Sequence, residues 1–379
     1  MKRKYILYLT TNSTWGGSEI LWAQSAKKFI DKGFFVKAGA YYDFDQLKPY
    51  LSGKEQYVDL RKRFIPPAAV LRAFEKMKIG SYAPVDNLTE VIKKHKPDLA
   101  VISQGNNKDG LGLMQFCCDN NIPFVNIIHL VTESLWPGLD DKKIDQLNVL
   151  FDKAIVNFFV SMHVQQMHEK ILGKKLSNAK PIYNPFTKSS VDSIKYPVVK
   201  DGGFKVALIG RLECFHKGYD LLIDVVKQEK WRERNISFSI FGKGPHLQLL
   251  KRTIKLHRIK NIVIKEHIEN IASVWKEHHI LMMPSRMEGQ SLTLIEAMWF
   301  KRAAIVTNVG GVEELIQDGK SGFIAEYPAE KFLDIAMERA WQAREYWEQM
   351  GVTAYEQIHN KHPADAVLYF NEQVEKLLS

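Results

Sequence analysis

The chain has 379 residues, enough for two domains and a sizeable core, and its 45% hydrophobic and 25% charged residues exclude disorder as the main state. Its 23 Gly and 14 Pro are scattered singly or in pairs, which excludes collagen-like and low-complexity classes. The net charge of +10 is unevenly divided: residues 1–184 hold 26 Lys and Arg against 18 Asp and Glu, and residues 185–379 hold 27 against 25. An excess of +8 in the first half suggests an anionic partner (a phosphorylated small molecule, an acidic glycan or a bilayer surface), with solubility as the plain alternative.

Taken in chain order, Tyr5–Thr10 reads as a strand and Asn12–Gly17 as a loop. Ser18–Lys32 has apolar residues at spacings of three and four and ends at Gly33, which predicts a helix. A strand follows over 34–40. The alternation continues with a helix over 88–95, a strand over 99–103 and a helix over 112–120. Then come a strand over 124–129, a helix over 142–151, a strand over 154–159 and a helix over 163–172. Residues 181–203 lose any period and contain Asn184-Pro185, Pro197 and Gly202-Gly203, so they read as a linker. Alternation resumes with strands over 204–209, 236–241, 262–264, 280–284 and 303–307. The helices of this half are expected over 219–229, 247–257, 272–277, 292–300 and 312–317, and a helical tail follows residue 329, broken near His362-Pro363. Strands alternating with helices imply parallel sheets, so the expectation is an α/β protein of two Rossmann-like parallel-sheet domains facing a cleft, which ligands enter at the carboxyl ends of the strands. The expected domains are 1–185 and 186–360, with 361–379 packing back on the first.

The three cysteines, two of them neighbours, cannot build a disulfide framework and point to a reducing compartment. The basic N-terminus lacks a signal-peptide core, and no run of about 18 apolar residues exists. The expected location is cytoplasmic.

The loops after the strands carry the candidate chemistry. Gly16-Gly17-Ser18-Glu19 opens a helix, where glycines let a backbone approach a ligand and free N–H groups favour anions. It lacks the three glycines of the dinucleotide fingerprint, and a tight turn capped by Ser18 is its plain alternative. Gly210–Gly218 places Arg211 and Lys217 at the end of a strand, where paired cations would stabilise a departing diphosphate. Phe241-Gly242-Lys243-Gly244-Pro245 is a weaker glycine turn. In Pro284–Met298, Glu288 lies in a loop and Glu296 in the helix that follows, whose N-terminus over Gln290–Leu292 suits a phosphate. Two carboxylates suit the hydroxyls of two sugar rings.

With Gly16-Gly17, Gly210-Arg211, Lys217-Gly218, Glu288–Glu296, Gly310-Gly311-Val312-Glu313-Glu314 and Asp318–Phe323, the chain resembles a family 4 glycosyltransferase of the GT-B type. The resemblance covers nearly the whole chain, is specific over 205–326, and is looser in the first domain, which receives varied acceptors in that family. It implies a UDP- or GDP-sugar bound to the second domain and a hexose passed, with retention of configuration, to a glycan, lipid-linked or small-molecule acceptor in cell-surface polysaccharide or glycolipid synthesis. Arg211 and Lys217 would hold the diphosphate, Glu288 the sugar hydroxyls and Glu296 the ribose. Backbone groups of Gly289, Gln290, Ser291 and Leu292 would lie against diphosphate and sugar, and His267 and Ile268 would border the base. Gly210 and Gly242 line the site, Gly16 and Gly17 touch the donor, and His129 positions and stabilises charge beside the reacting sugar. The resemblance also implies that no metal or other cofactor is required. Gln290-Ser291 departs from the family's aromatic-Gly pair and leaves the donor sugar open.

Several signals are set aside. Asp43-Phe44-Asp45 resembles a metal-binding D-x-D but lacks its context, and neither zinc spacing nor a G-x-S-x-G elbow occurs. Cys214 sits among cations that would lower its pKa. Residues 61–78 mix cations with apolar groups and suit an anionic membrane, hence peripheral contact at its inner face, or an anionic acceptor. A nucleic-acid role has no motif to support it. The rival functions are a phosphorylase or epimerase on the same fold and a non-catalytic nucleotide-sugar sensor.

Overall fold

The structure is a computed structural model that describes residues 3–13, 15–61, 88–89, 91–92, 95–106, 109–136, 138–186, 194–199, 203–266, 268 and 270–378. The chain divides into two compact units. The first comprises Met1–Val160, Val164–Pro185 and Asp365–Ser379, and the second Ser161–His163 and Phe186–Ala364.

In the first unit the strands are β1 (Tyr5–Thr10), β2 (Phe35–Ala40), β3 (Tyr57–Asp59), β4 (Leu99–Gln104), β5 (Phe124–Ile128), β6 (Val156–Phe159) and β7 (Ala179–Pro181). They form a seven-stranded sheet in the order β3-β2-β1-β4-β5-β6-β7, parallel throughout. Every residue of β1, β4, β5 and β6 is buried, as expected where helices cover both faces of a sheet and the strands read as continuous apolar runs. The C-terminal helix Ala366–Leu378 belongs to this unit and packs on the helix Gly17–Asp31. Ser25 Oγ donates to Asn371 Oδ1 at 2.5 Å, Lys28 pairs with Asp365 at 2.7 Å, and Phe370 meets Phe158 edge-on. The crossing back that the sequence suggested is therefore present, starting at Asp365.

In the second unit β8 (Phe204–Ile209), β9 (Ile236–Phe241), β10 (Ile262–Lys265), β11 (Ile280–Met283), β12 (Ala303–Thr307) and β13 (Gly322–Ala325) form a parallel sheet in the order β10-β9-β8-β11-β12-β13. Strands β8, β9 and β12 occupy the segments expected for them.

The short edge strands β3, β7 and β13 have no counterpart in the sequence reading. Residues 179–181 end in a proline and 322–325 begin with a glycine, features that read as loop and are tolerated at a sheet edge. Two turns also differ. The stretch 214–217, read as loop, is a short helix, and 219–229 divides into helices Tyr219–Val226 and Glu229–Glu233.

Chain order reverses between β1 and β4 in one sheet and between β8 and β11 in the other. Ligands of open parallel sheets bind outside the carboxyl ends of the strands at such reversals. No helix among the described residues is long and apolar enough to cross a membrane.

Candidate active site

In the second unit, the loops that leave β8, β9, β11 and β12 lie against one another at the carboxyl edge of the sheet. Gly210 N donates to Phe241 O at 3.0 Å and Leu212 N to Lys243 O at 3.0 Å, joining the first two loops. A Cβ on Gly242 would stand 1.9 Å from Gly210 O, so this approach requires glycine. Gly218, at φ +62°, ends the short helix Cys214–Lys217, and a Cβ there would stand 1.9 Å from Pro284 O. Arg286 N donates to His216 O at 2.7 Å, and Gly311 N to Gly289 O at 2.8 Å.

This packing brings Lys217 to Glu288 across the reversal between β8 and β11. Lys217 Nζ lies 2.6 Å from Glu288 Oε1, and Ser285 Oγ donates to the same oxygen at 2.8 Å. Thr307 in turn donates to Ser285 O, so the loop is held from beneath by β12. Arg286 Nη1 and Nη2 make a bidentate pair with Asp220 at 2.8 and 2.6 Å, and Nη1 also reaches Cys214 O at 2.8 Å. Such a fork fixes both partners in orientation and ties the helix carrying Lys217 to the loop carrying Glu288. Arg211 is exposed and makes no ion pair with a described residue.

Ser291 caps the helix Leu292–Trp299 through Leu294 N at 3.4 Å. Glu288, tied to Lys217 and Ser285, therefore takes no part in capping. The carboxylate of Glu296, half-buried on that helix, has no hydrogen-bond partner among the described residues, and burial pushes its pKa up to about 7. Ile268 packs against the apolar cluster of Phe241, Ala272 and Met283. His267 lies outside the described residues, as do Lys62–Lys78 of the suggested membrane segment.

One expectation fails at Cys214. Burial, together with the negative charges of Asp220 and Glu213, pushes its thiol up to about 11, outweighing the opposing effect of the Arg286 charge. Glu213 was missed by sequence reasoning: its carboxylate accepts from Phe215 N at 2.9 Å and His216 N at 2.7 Å, capping the short helix.

The first unit has its own convergence at the β1–β4 reversal. Thr11 N donates to Ser103 O at 3.0 Å and Gly105 N to Thr11 Oγ1 at 2.8 Å. The helix begins at Gly17 with Gly16 as its extended N-cap, one residue before the expected start, so Ser18 is not the cap. Gly16 and Gly17 are exposed, and a Cβ on Gly16 would meet nothing within 4 Å. Beneath them Glu19 is fully buried and accepts from Asn12 Nδ2 (2.6 Å), Tyr42 OH (2.6 Å), Thr10 Oγ1 (3.1 Å) and Trp22 Nε1 (3.1 Å). Burial raises its pKa and these donors oppose the rise. The sequence offered no signal for this network beyond a glutamate on an otherwise apolar helix face.

His129 follows β5, with Nε2 3.2 Å from Ser103 Oγ. Burial lowers its pKa to about 4, so the ring is uncharged at neutral pH. A groove of about 880 Å³ in this unit, lined by Asp43, Asp45, Lys48 and Arg61 among others, contains none of the sequence-predicted site residues. Ion pairs of Asp43 with Arg61 (2.7 Å) and Asp45 with Lys48 (2.6 Å) occupy the D-x-D carboxylates. No metal-binding cluster of His, Cys, Asp or Glu occurs among the described residues.

Residues 203–340, the stretch that carries the Lys217–Glu288 arrangement, match the family model of glycosyl transferases group 1. The chain is 25% identical over 159 residues to poly(ribitol-phosphate) alpha-N-acetylglucosaminyltransferase of Staphylococcus aureus, covering 40% of this chain and 31% of that protein. It spans about a third of the length of the curated relatives it matches. Among solved structures it is similar to HepE of Anabaena in complex with UDP, with a TM-score of 0.73 and 16% identity over 99% of both chains. It is also similar to a glycosyltransferase of Rickettsia africae, with a TM-score of 0.75 and 16% identity over 100% of this chain and 99% of that one. The fold is GT-B.

Proposed function

We propose that this chain is a glycosyltransferase of family 4 that takes a hexose-type sugar from a nucleoside-diphosphate sugar and passes it, with retention, to a glycan, lipid-linked or small-molecule acceptor. The observation that carries the reading is the Lys217–Glu288 pair, 2.6 Å apart at the strand reversal, with exposed Arg211 on the same loop. As the bond from the anomeric carbon to the phosphate oxygen breaks, negative charge grows on the diphosphate, where Lys217 and Arg211 are placed to take it up. Glu288 accepts hydrogen bonds from sugar hydroxyls, and until a donor arrives it neutralises Lys217. The acceptor oxygen forms the new glycosidic bond, and its proton passes to the departing phosphate oxygen. His129, uncharged, positions the sugar, and Glu296 receives the ribose hydroxyls.

UDP is favoured as the carrier because the similar HepE structure was solved with it. A role in cell-surface polymer synthesis is favoured by the staphylococcal relative, whose name describes addition of N-acetylglucosamine to poly(ribitol phosphate). The test is release of free nucleotide from a panel of UDP- and GDP-hexoses, with and without glycan acceptors. Turnover of one donor is expected, with Tm raised by its nucleotide. No release from any donor, together with no shift by UDP or GDP, overturns the proposal.

A further inference from the structure

The helix Leu247–Leu256 of the second unit carries a surface that the proposed transfer does not use. Between Phe241 and Glu266 the sequence holds seven Lys and Arg and no Asp or Glu. Lys251, Arg252, Lys255, Arg258 and Lys260 are all exposed, and none of their side chains pairs with a described residue. Several other cations of the unit do pair: Lys227 with Asp224, Lys230 with Asp334, Arg234 with Glu338 and Arg339 with Asp318. The helix and the residues after it therefore carry a run of cations with no acidic residue among them.

The same helix exposes large apolar side chains. Leu250 is buried, and Leu247 and Ile254 pack beside it against the core. Leu249 and Leu256, by contrast, are 53% and 74% exposed. Seven residues at about 100° each bring them to within about 20° of one another, on the stripe opposite the buried one. Arg252 lies about 40° from Leu256 and Lys255 about 100°, both on the same side, so cations line one flank of the two leucines, while Lys251 lies about 140–160° from them. Strand β10, which follows, is the edge of the sheet, and its Val263 is 51% exposed. Exposed leucines gain nothing from water or from a purely ionic polymer. At the boundary between headgroups and acyl chains they are buried while the flanking cations meet anionic headgroups.

We propose that the helix Leu247–Leu256 is a membrane-docking surface that lays Leu249 and Leu256 into an anionic bilayer with Arg252 and Lys255 on its headgroups. This surface is separate from the 61–78 segment that the sequence suggested, and it does not depend on the transferase reading.

The test is co-sedimentation of the full chain with phosphatidylcholine vesicles, with and without phosphatidylglycerol, at low and high salt. Binding that requires phosphatidylglycerol and weakens with salt is expected. The double variant R252E/K255E is expected to lose binding by about 25-fold or more, at about fivefold or more per cation. The double variant L249S/L256S is expected to lose binding by about tenfold or more, and both variants are expected to keep their Tm and their activity on soluble substrates. Wild-type sedimentation of R252E/K255E overturns the proposal, because another surface then holds the membrane. Full binding by L249S/L256S also overturns it, and points to a soluble polyanion as the partner.

Discussion

Lys217 Nζ and Glu288 Oε1 are 2.6 Å apart although 71 residues separate them, because the loops they occupy leave adjacent parallel strands at the point where chain order reverses. Lys217→Ala and Glu288→Ala are each expected to lower nucleotide release at least about tenfold while thermal melting stays cooperative, since removing one well-placed charge costs on this order. The double variant should lose less than the product of the single losses, because each variant already breaks the shared contact. Wild-type turnover in both single variants would show that the site lies elsewhere.

Arg286 acts one step further out. Its bidentate pair with Asp220 and its bond to Cys214 O hold the Lys217 helix against the Glu288 loop. Arg286→Lys keeps the charge and loses the fork, so turnover is expected to fall several-fold, about three- to tenfold, with a smaller change in Tm than Arg286→Ala. Equal turnover in the Lys variant and the native chain would remove the positioning role.

His168 is buried between Phe151 and Phe159, with neither ring nitrogen bonded to a described residue. Burial lowers its pKa to about 3 from a usual 6.5. The folded state therefore binds fewer protons than the unfolded one over this window, and stability falls as pH drops from 6.5 toward 3. His168→Phe should raise Tm least above pH 7 and by a growing amount as pH falls below 6.5 toward 3, measured by thermal melts across pH. A gain that does not depend on pH would contradict this account.

Chelation provides a separate check. In the proposed reaction Lys217 and Arg211 hold the donor diphosphate, so EDTA is expected to leave nucleotide release unchanged. Strict dependence on added Mn²⁺ or Mg²⁺ would mean that a cation shares the diphosphate with these side chains.

The alternation of strands and helices, the division after Pro185 and the loops bearing Lys217 and Glu288 were legible in the chain, because each depends on local periodicity or on glycine and proline placed beside a strand. Edge strands β3, β7 and β13 were not legible. At three or four residues they carry too little pattern and form only because a neighbouring strand offers its free N–H and C=O groups. The ionisation of the site was equally hidden. Cys214 looked acidic from its neighbours and is driven the other way by burial, and nothing beside His129 in the chain shows that its surroundings remove the water that would solvate a charged ring. Periodicity and turn chemistry are properties of nearby residues, so sequence alone determined the architecture and the candidate loops. Which carboxylate meets which cation, and which groups hold their charge, depends on residues far apart in the chain and on the dielectric they share, so only the tertiary structure decided them.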